Sequence, residues 1–421
     1  MNSFRFIHAA DLHLDCQLKG LEQYEGAPVQ KLRDAPRRAL ENLIDLAIAE
    51  QVAFVVLAGD LFDGKWTDIQ TGLWTSQQFQ RLARHQIRVY LIRGNHDAMA
   101  ESPVRMTWPA NVIEFPTDRP ATEIDPRSGA AIHGQGFAQR ECSVDLARNY
   151  PAADPQRFNL GILHTSLMGD AQHDVYAPTT PDVLTGKRYD YWALGHIHAY
   201  RVVSESPWIV YPGCAQARHI REQGAKGCLL VSVEGQSCRL EFRELDVLRW
   251  QSTTVELAPT DKRREMLEAV QIQLEACRDR AEGRLAAVRL LLTGRCEFHR
   301  EIEKPQGRSE VIGELRNLAN QIDDLWLEKI ELETAPPVDV EALRSGSDLF
   351  GELLRDFDQW RSADDADLPT LAEPLDTLAH RIGNTLPKSD LDLQSPEKLR
   401  HWLKQAEAIV LALAPTSDTE S

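Results

Sequence analysis

The sequence predicts a layered α/β protein whose first part carries strands covered on both faces. Three observations point to it. Short apolar runs of strand length recur through residues 1–250, amphipathic segments separate the first of them, and the pattern changes after Trp250.

The apolar runs are FRFIHAA (4–10), VAFVVLAGD (52–60), IRVYLIRGN (87–95), FNLGILHTS (158–166), YDYWALGHIH (189–198) and PWIVYPG (207–213). Continuous apolar character bounded by turn residues is what a strand buried on both faces requires. Residues 35–50 and 70–85 repeat apolar side chains at helical spacing, so each predicts a helix linking two strands. Residues 251–336 then read as a β-α-β-α-β unit: STTVELA, a helix over 261–282, RLAAVRLLLTG, a helix around 310–322, and LWLEKIELE. This predicts a second, smaller α/β domain, ended by the linker APPVDV. In 337–421, DLFGELLRDFDQW and SPEKLRHWLKQAEAIVLALA are amphipathic helices around an acidic, irregular middle. An isolated helical pair buries little, so these helices are expected to pack on something else.

Composition narrows the function classes. The chain has 421 residues, 43% hydrophobic and 26% charged, as in soluble globular proteins of two or three domains. No apolar run approaches the roughly 20 residues of a membrane span. MNSFRFIHAADLHL lacks the basic and apolar regions of an export signal. Seven scattered cysteines without a CxxC fit a reduced cytoplasm. A net charge of -17 argues against a polyanionic partner. That objection weakens with distribution: residues 1–250 hold 26 Lys and Arg against 30 Asp and Glu, and 251–421 hold 21 against 34. The acidity sits mainly in the C-terminal part, and a bound cation would cancel the charge of carboxylates that ligate it.

The strands end on chemistry. The first runs into Asp11 and His13, the second into Asp60 and Asp63, the third into Asn95, His96 and Asp97, the fourth into His164, and the fifth into His196 and His198. In an extended chain side chains alternate faces, so His196 and His198 are expected to point the same way. The crevice beyond the carboxyl ends of strands is where open α/β sheets bind ligands. Asp11, His13, Asp60, Asn95, His164, His196 and His198 make seven oxygen and nitrogen donors with no sulfur, suited to Mn²⁺, Fe²⁺, Zn²⁺ or Mg²⁺. One ion held by three or four ligands would not use seven. Two ions about 3.5–4 Å apart would, with one carboxylate shared.

The set DxH, GDxxD, GNHD, a lone His after an apolar strand, and GHxH resembles the calcineurin-like metallophosphoesterases over roughly 1–233. IHAADLHLDCQLKGL, FVVLAGDLFD, ALGHIH and VYPGCAQARHIREQGAKGCLLVSVE resemble the bacterial DNA-repair exonucleases of the SbcD and YhaO type within that family. The resemblance implies a metallophosphoesterase four-layer α/β sandwich over 1–250, a small α/β capping domain over 251–336, and C-terminal helices over 337–421 that dock a coiled-coil ATPase. It implies two divalent ions, Mn²⁺ first among the candidates. Asp11, His13 and His198 would hold one, Asn95, His164 and His196 the other, and Asp60 would bridge. His96 would face the phosphate, with Asp97 orienting its ring. Cys214 and Ala217 stand where a small polar residue and glycine are expected. The partners implied are DNA, a coiled-coil ATPase of the SbcC/YhaN type and a second copy of the chain.

Other features compete. GDLFDGKW is one letter short of a P-loop, but Trp66 replaces the Ser or Thr that holds Mg²⁺, and Asp60 and Asp63 would repel phosphate. Arg218 and His219, with Lys226, Lys19 and Arg93, are candidates to contact a phosphate backbone. Trp108, Trp192 and Trp208 are expected in the core rather than stacked on bases. The leading expectation is a two-metal DNA nuclease. A phosphoesterase for a small phosphodiester or phosphoprotein, and a scaffold that binds DNA ends without cutting, stand beside it.

Overall fold

The computed structural model describes residues 3–16, 26–63, 69–99, 107–167, 176–337, 340–365, 368 and 395–413. In chain order the first elements are β1 (Phe4–Ala9), α1 (Val29–Ala49), β2 (Phe54–Ala58), α2 (Ile69–Arg84), β3 (Arg88–Ile92), β4 (Val112–Glu114), β5 (Ala121–Ile124), β6 (Ala131–Gly134) and β7 (Asn159–His164). There follow α3 (Pro181–Gly186), β8 (Tyr191–Gly195), β9 (Arg201–Glu205), β10 (Trp208–Tyr211), β11 (Gly227–Glu234), β12 (Ser237–Glu244) and β13 (Leu248–Leu257). The last are α4 (Arg263–Arg280), β14 (Leu285–Arg295), α5 (His299–Ile302), α6 (Pro305–Ala319), β15 (Leu325–Ala335), α7 (Val340–Ser345), α8 (Leu349–Ser362) and α9 (Pro396–Leu413).

Two six-stranded sheets, ordered β12-β11-β1-β2-β3-β4 and β5-β6-β7-β8-β10-β9, make the middle of the first unit. Alternate side chains explain why they stack. Phe6, Phe54, Val56, Tyr90 and Val231 of one sheet meet Ile132, Leu160, Ile162, Tyr191 and Val210 of the other in a buried core. The opposite face of the first sheet, with Ile7, Val55, Leu57, Val89 and Leu230, packs under Leu40, Leu43 and Ile44 of α1 and Phe79 and Leu82 of α2. Leu163, Trp192, Leu194 and Ile209 of the second sheet pack under Leu184 of α3 and the short turn at Leu146. The result is a helix, sheet, sheet, helix sandwich of the calcineurin-like kind. Phe6 and Phe54 stack at 5.1 Å with Tyr191 edge-on to Phe6 at 5.3 Å, so truncating Phe54 removes a central contact worth about 3–5 kcal/mol.

Every apolar run named from the sequence is a strand, trimmed by a few residues. Helix α1 differs from expectation: it starts at Val29 and keeps Pro36 inside. Proline ordinarily stops a helix, but Leu32, Ala35, Pro36 and Ala39 are all buried, and their packing carries the helix through. The first sheet also gains β11, antiparallel to β1, so it is mixed rather than parallel throughout.

The chain divides into two compact units. One comprises Met1–Ser252, Cys277–Val288 and Asp324–Glu328, the other Thr253–Ala276, Arg289–Asp323 and Lys329–Ser421. Strands β13, β14 and β15 form a third sheet with β14 central. Within the second unit Leu399, Trp402 and Leu403 of α9 pack around Leu368 and Ala363, and Arg361 of α8 pairs with Glu407 at 2.9 Å. No helix among the described residues is long and apolar enough to cross a membrane.

The two sheets approach closely where β2 and β8 end. A Cβ at Gly195 would lie 2.0 Å from the Ala58 carbonyl oxygen and 2.9 Å from His164 Nδ1. Backbone cannot yield as a side chain tip can, so Gly195→Ala is expected to destabilise the protein by about 2 kcal/mol or more. Denaturant unfolding of the variant measures this; a midpoint equal to wild type contradicts the close approach.

Candidate metal centre

Strands β1, β2 and β3 are parallel neighbours, as are β7 and β8 in the facing sheet, so five carboxyl ends reach one rim. The backbone there is turned hard. Asp11, His13 and Asp60 have φ of 52°, 46° and 52°, and His196 has φ of 102°. Each such residue costs about 1–3 kcal/mol unless its surroundings impose it. The surroundings here are the Asp11 N–H to Gly59 carbonyl bond of 3.0 Å, the His13 N–H to Asp60 carbonyl bond of 3.1 Å, and the His196 N–H to Asp11 Oδ2 bond of 3.0 Å. The turn at His196 corrects the extended reading of GHIH. Strand β8 stops at Gly195, and the histidines part: the His196 ring faces His164 at 5.3 Å, and His198 faces His13 at 5.2 Å.

Among the described residues, two converging groups are built wholly from the expected donors: Asp11, His13 and His198 in one, and Asp11, Asp60 and His164 in the other; His13 also converges with Asp63 and His96, and His198 with Cys214 and Glu222. In the first, His13 Nε2 lies 3.4 Å from His198 Nε2, and His198 Nε2 lies 3.7 Å from Asp11 Oδ1. In the second, His164 Nε2 lies 2.9 Å from Asn95 Oδ1. Asp60 Oδ2 stands between them, 3.9 Å from His13 Nε2 and 3.4 Å from His164 Nε2. Asp11 belongs to both groups, which the sequence had not suggested. Asp11, His13, Asp60 and His164 are buried.

The donor chemistry fits a pair of divalent cations. The Ala58 carbonyl, 2.9 Å from His164 Nδ1, can only accept, so Nδ1 keeps its proton and Nε2, which faces the cluster, is the nitrogen that would ligate. Glu222 does the same for His198, 2.6 Å from its Nδ1. His13 Nδ1 is buried without a hydrogen bond, 3.4 Å from Asp63 Oδ1. When bound, divalent ions at such a site polarise phosphoryl oxygens and make water nucleophilic near neutral pH.

The remaining chemistry belongs to the chain. His96 Nδ1 meets Asp63 Oδ1 at 2.6 Å, and its backbone N–H donates to Asp60 Oδ1 at 2.9 Å. The expected partner of the His96 ring was Asp97, and the structure corrects this. Asp97 instead accepts from the N–H groups of Leu61, Phe62 and Gly94 at 3.2, 2.9 and 3.0 Å. It ties the loop after β2 to the loop after β3, and Asp63 orients the ring. Asp63 was visible in GDLFD but carried no assigned role, and Glu222 had no signal. Arg218 is largely buried beside them, with Nη1 3.7 Å from Asp63 Oδ1 and Nη2 3.4 Å from His198 Nδ1. His219 is half exposed, 3.7 Å from Glu222.

Electrostatics separate these groups. Burial opposes the charge on Asp60, yet His164, His13 and His96 around it hold its carboxyl far below the usual range. Burial also opposes a charged His164, but Asp60 and Asp11 push it up to about 9. Burial and the Arg218 charge bring His13 down to about 4. His96 is raised against its burial by the Asp63 hydrogen bond and the Asp60 charge. Burial and the Asp60 charge push Asp97 up to about 7 despite its three backbone donors.

The competing features resolve into structure. Trp192 is fully buried, Trp208 packs against the inter-sheet core, and Trp108 packs on Phe79 at 5.4 Å. His8 is buried between the Tyr191 hydroxyl and the Leu194 carbonyl. Arg93 pairs with Glu114, and Lys226 donates to the His198 carbonyl at 3.2 Å. Lys19, and Gly64, Lys65 and Trp66 of the P-loop-like stretch, lie outside the described residues.

One measurement follows from the buried histidine. Below about 9 the cation-free His164 holds a proton that must leave before Nε2 can ligate. Cation uptake near neutral pH is therefore expected to release protons, and apparent affinity to rise with pH and level off above about 9. Calorimetry of Mn²⁺ binding in buffers of different ionisation enthalpy reads this directly, and buffer-independent heats contradict it.

Comparison with known proteins places this geometry. The calcineurin-like phosphoesterase family matches residues 4–200, and the metallophosphoesterase YhaO middle domain matches 250–335. The metallophosphoesterase YhaO of Bacillus subtilis (strain 168) is 31% identical over 425 residues, covering 100% of both chains. The DNA double-strand break repair protein Mre11 of Aeropyrum pernix is 24% identical over 56% of this chain and 60% of its own. Mre11 of Sulfolobus acidocaldarius is 26% identical over 47% of this chain and 50% of its own. Among solved structures, a dimetal phosphatase from Danio rerio aligns at a TM-score of 0.39 and 11% identity, over 57% of this chain and 96% of that one. The first family match covers every strand that feeds the donor cluster, the second covers the segment that follows, and full-length kinship joins them: the chain belongs to the calcineurin-like metallophosphoesterases, in the YhaO branch.

Proposed function

We propose that this metallophosphoesterase is a Mn²⁺-dependent DNA nuclease, the catalytic subunit of a repair complex with a coiled-coil ATPase of the SbcC/YhaN type. The observation that carries the reading is the pair of donor groups flanking Asp60, with the Asp63-held His96 ring beside them. Kinship to two proteins named for DNA double-strand break repair supports DNA as the polymer. In this reading the cluster orients a phosphodiester, and His96, steadied by Asp63, stabilises developing charge or protonates the leaving oxygen. Arg218, 3.7 Å from Asp63 Oδ1 and 3.4 Å from His198 Nδ1, would contact a non-bridging oxygen in this reading. No phosphorylated enzyme intermediate is needed.

End-labelled single- and double-stranded DNA incubated with Mn²⁺ tests the proposal. Wild type is expected to cut, Asp60→Asn to lose activity together with bound metal, and His96→Asn to keep its metal while turnover falls about 10²–10⁴-fold. Cleavage of bis-p-nitrophenyl phosphate without cleavage of DNA replaces the nuclease reading with a small-phosphodiester one. Metal uptake without any hydrolysis leaves the scaffold reading.

The ATPase proposal rests on α8 and α9, which expose Leu349 and Ile409. A chain ending at Pro336 is expected to retain phosphodiesterase activity and to lose co-purification with its ATPase. Unchanged partner binding by the shortened chain removes the docking role of these helices.

A further inference from the structure

His198 is gripped from both ends by the segment that follows β10. Its carbonyl receives the Lys226 ammonium at 3.2 Å and the Cys214 N–H at 3.3 Å. Its Nδ1 meets Glu222 Oε1 at 2.6 Å, while Glu222 Oε2 accepts the Arg218 backbone N–H at 2.7 Å. Both oxygens of one buried carboxylate are thereby committed, with Arg218 Nη2 at 3.5 Å and His219 Nε2 at 3.7 Å also facing Oε1. His164, the histidine of the other donor group, leans on a backbone carbonyl instead. The two groups thus differ behind their ligands: a fixed peptide dipole supports one, an ionisable side chain the other. A carboxylate behind an imidazole fixes the tautomer and strengthens the ring as a donor, and its loss typically weakens metal binding about 10–100-fold.

We infer that Glu222 is a positioning residue for the Asp11, His13 and His198 group alone. By accepting the Nδ1 proton of His198 it keeps the Nε2 lone pair turned toward His13 and Asp11. The inference rests on reading the cluster as a two-cation centre, and it acts through His198 rather than by contact with substrate.

Glu222→Gln keeps the side-chain volume but turns an amide N–H₂ toward one of the two donors the carboxylate satisfies. Glu222→Ala removes both bonds. In nitrogen-edited NMR of the metal-free protein, wild-type His198 is expected as the Nδ1-protonated tautomer. Glu222→Ala is expected to shift it toward a mixture, and an unchanged His198 signal overturns the inference. In Mn²⁺ calorimetry, wild type is expected to show two sites, and both variants to weaken one of them about 10–100-fold while the other stays within about twofold. Equal weakening of both sites, or of neither, also overturns it. Metal-free melting of Glu222→Gln close to wild type establishes that the fold is intact. If wild type binds no Mn²⁺, the two-cation reading falls, while the metal-free spectra still decide whether Glu222 sets the His198 tautomer.

Discussion

Two buried carboxylates, Asp11 and Asp60, share one rim with the rings of His13, His164 and His198, and that crowding governs the molecule. Desolvation opposes charge on Asp11, His13, Asp60 and His164. The chain alone relieves part of the conflict by letting His164 hold a proton against Asp60. A pair of divalent cations would relieve it more fully, because Asp11, His13, Asp60, His164 and His198 could then all turn lone pairs inward. The strained backbone follows from the same demand: Asp11, His13, Asp60 and His196 leave ordinary strand geometry so that side chains from two sheets meet at one place.

The sandwich makes that meeting reproducible. Stacking two sheets with their parallel strands ending at the same rim sets the distances between Asp60 and His164 without any loop having to find them. Gly195 lets β8 come against the Ala58 carbonyl, the same carbonyl that fixes the His164 tautomer. A packing constraint and an electronic one therefore coincide at one peptide group. Glycine is required there by space, since a methyl would meet backbone rather than a movable side chain.

Legibility from the sequence followed the reach of each interaction. That Asp11, His13, Asp60, Asn95, His164, His196 and His198 come near one another was readable because each lies at or just beyond the end of an apolar strand, and strand-end position is a local property. Residues that act on these donors from behind were not readable as such. Asp63 is three residues from Asp60, but which histidine it serves depends on how the loop after β3 folds. Glu222 reaches His198 from 24 positions away, and nothing in RHIREQG announces an acceptor. Asp97 misled because the role carried over with the GNHD motif set it behind His96, whereas three nearby N–H groups claimed its carboxylate. The same limit shaped the fold. β11 finds its place beside β1, far off in the chain, while β5 and β9 pair with their chain neighbours β6 and β10 without the long apolar runs that mark the central strands, and α1 runs through Pro36 because burial outweighs a local stop signal.

The acidity of the chain bears on this site less than a net charge of -17 suggests. Within the cluster each carboxylate already faces nitrogen: Asp63 faces His96, His13 and Arg218, Glu222 faces His198 and Arg218, and Asp60 faces His164. Local potential depends on these pairings at a few ångströms, while distant surface charge is screened over about 10 Å of ordinary salt solution. Two cations added to so nearly balanced a set would leave the pocket positive, and a phosphodiester would then meet an attractive field inside an acidic protein.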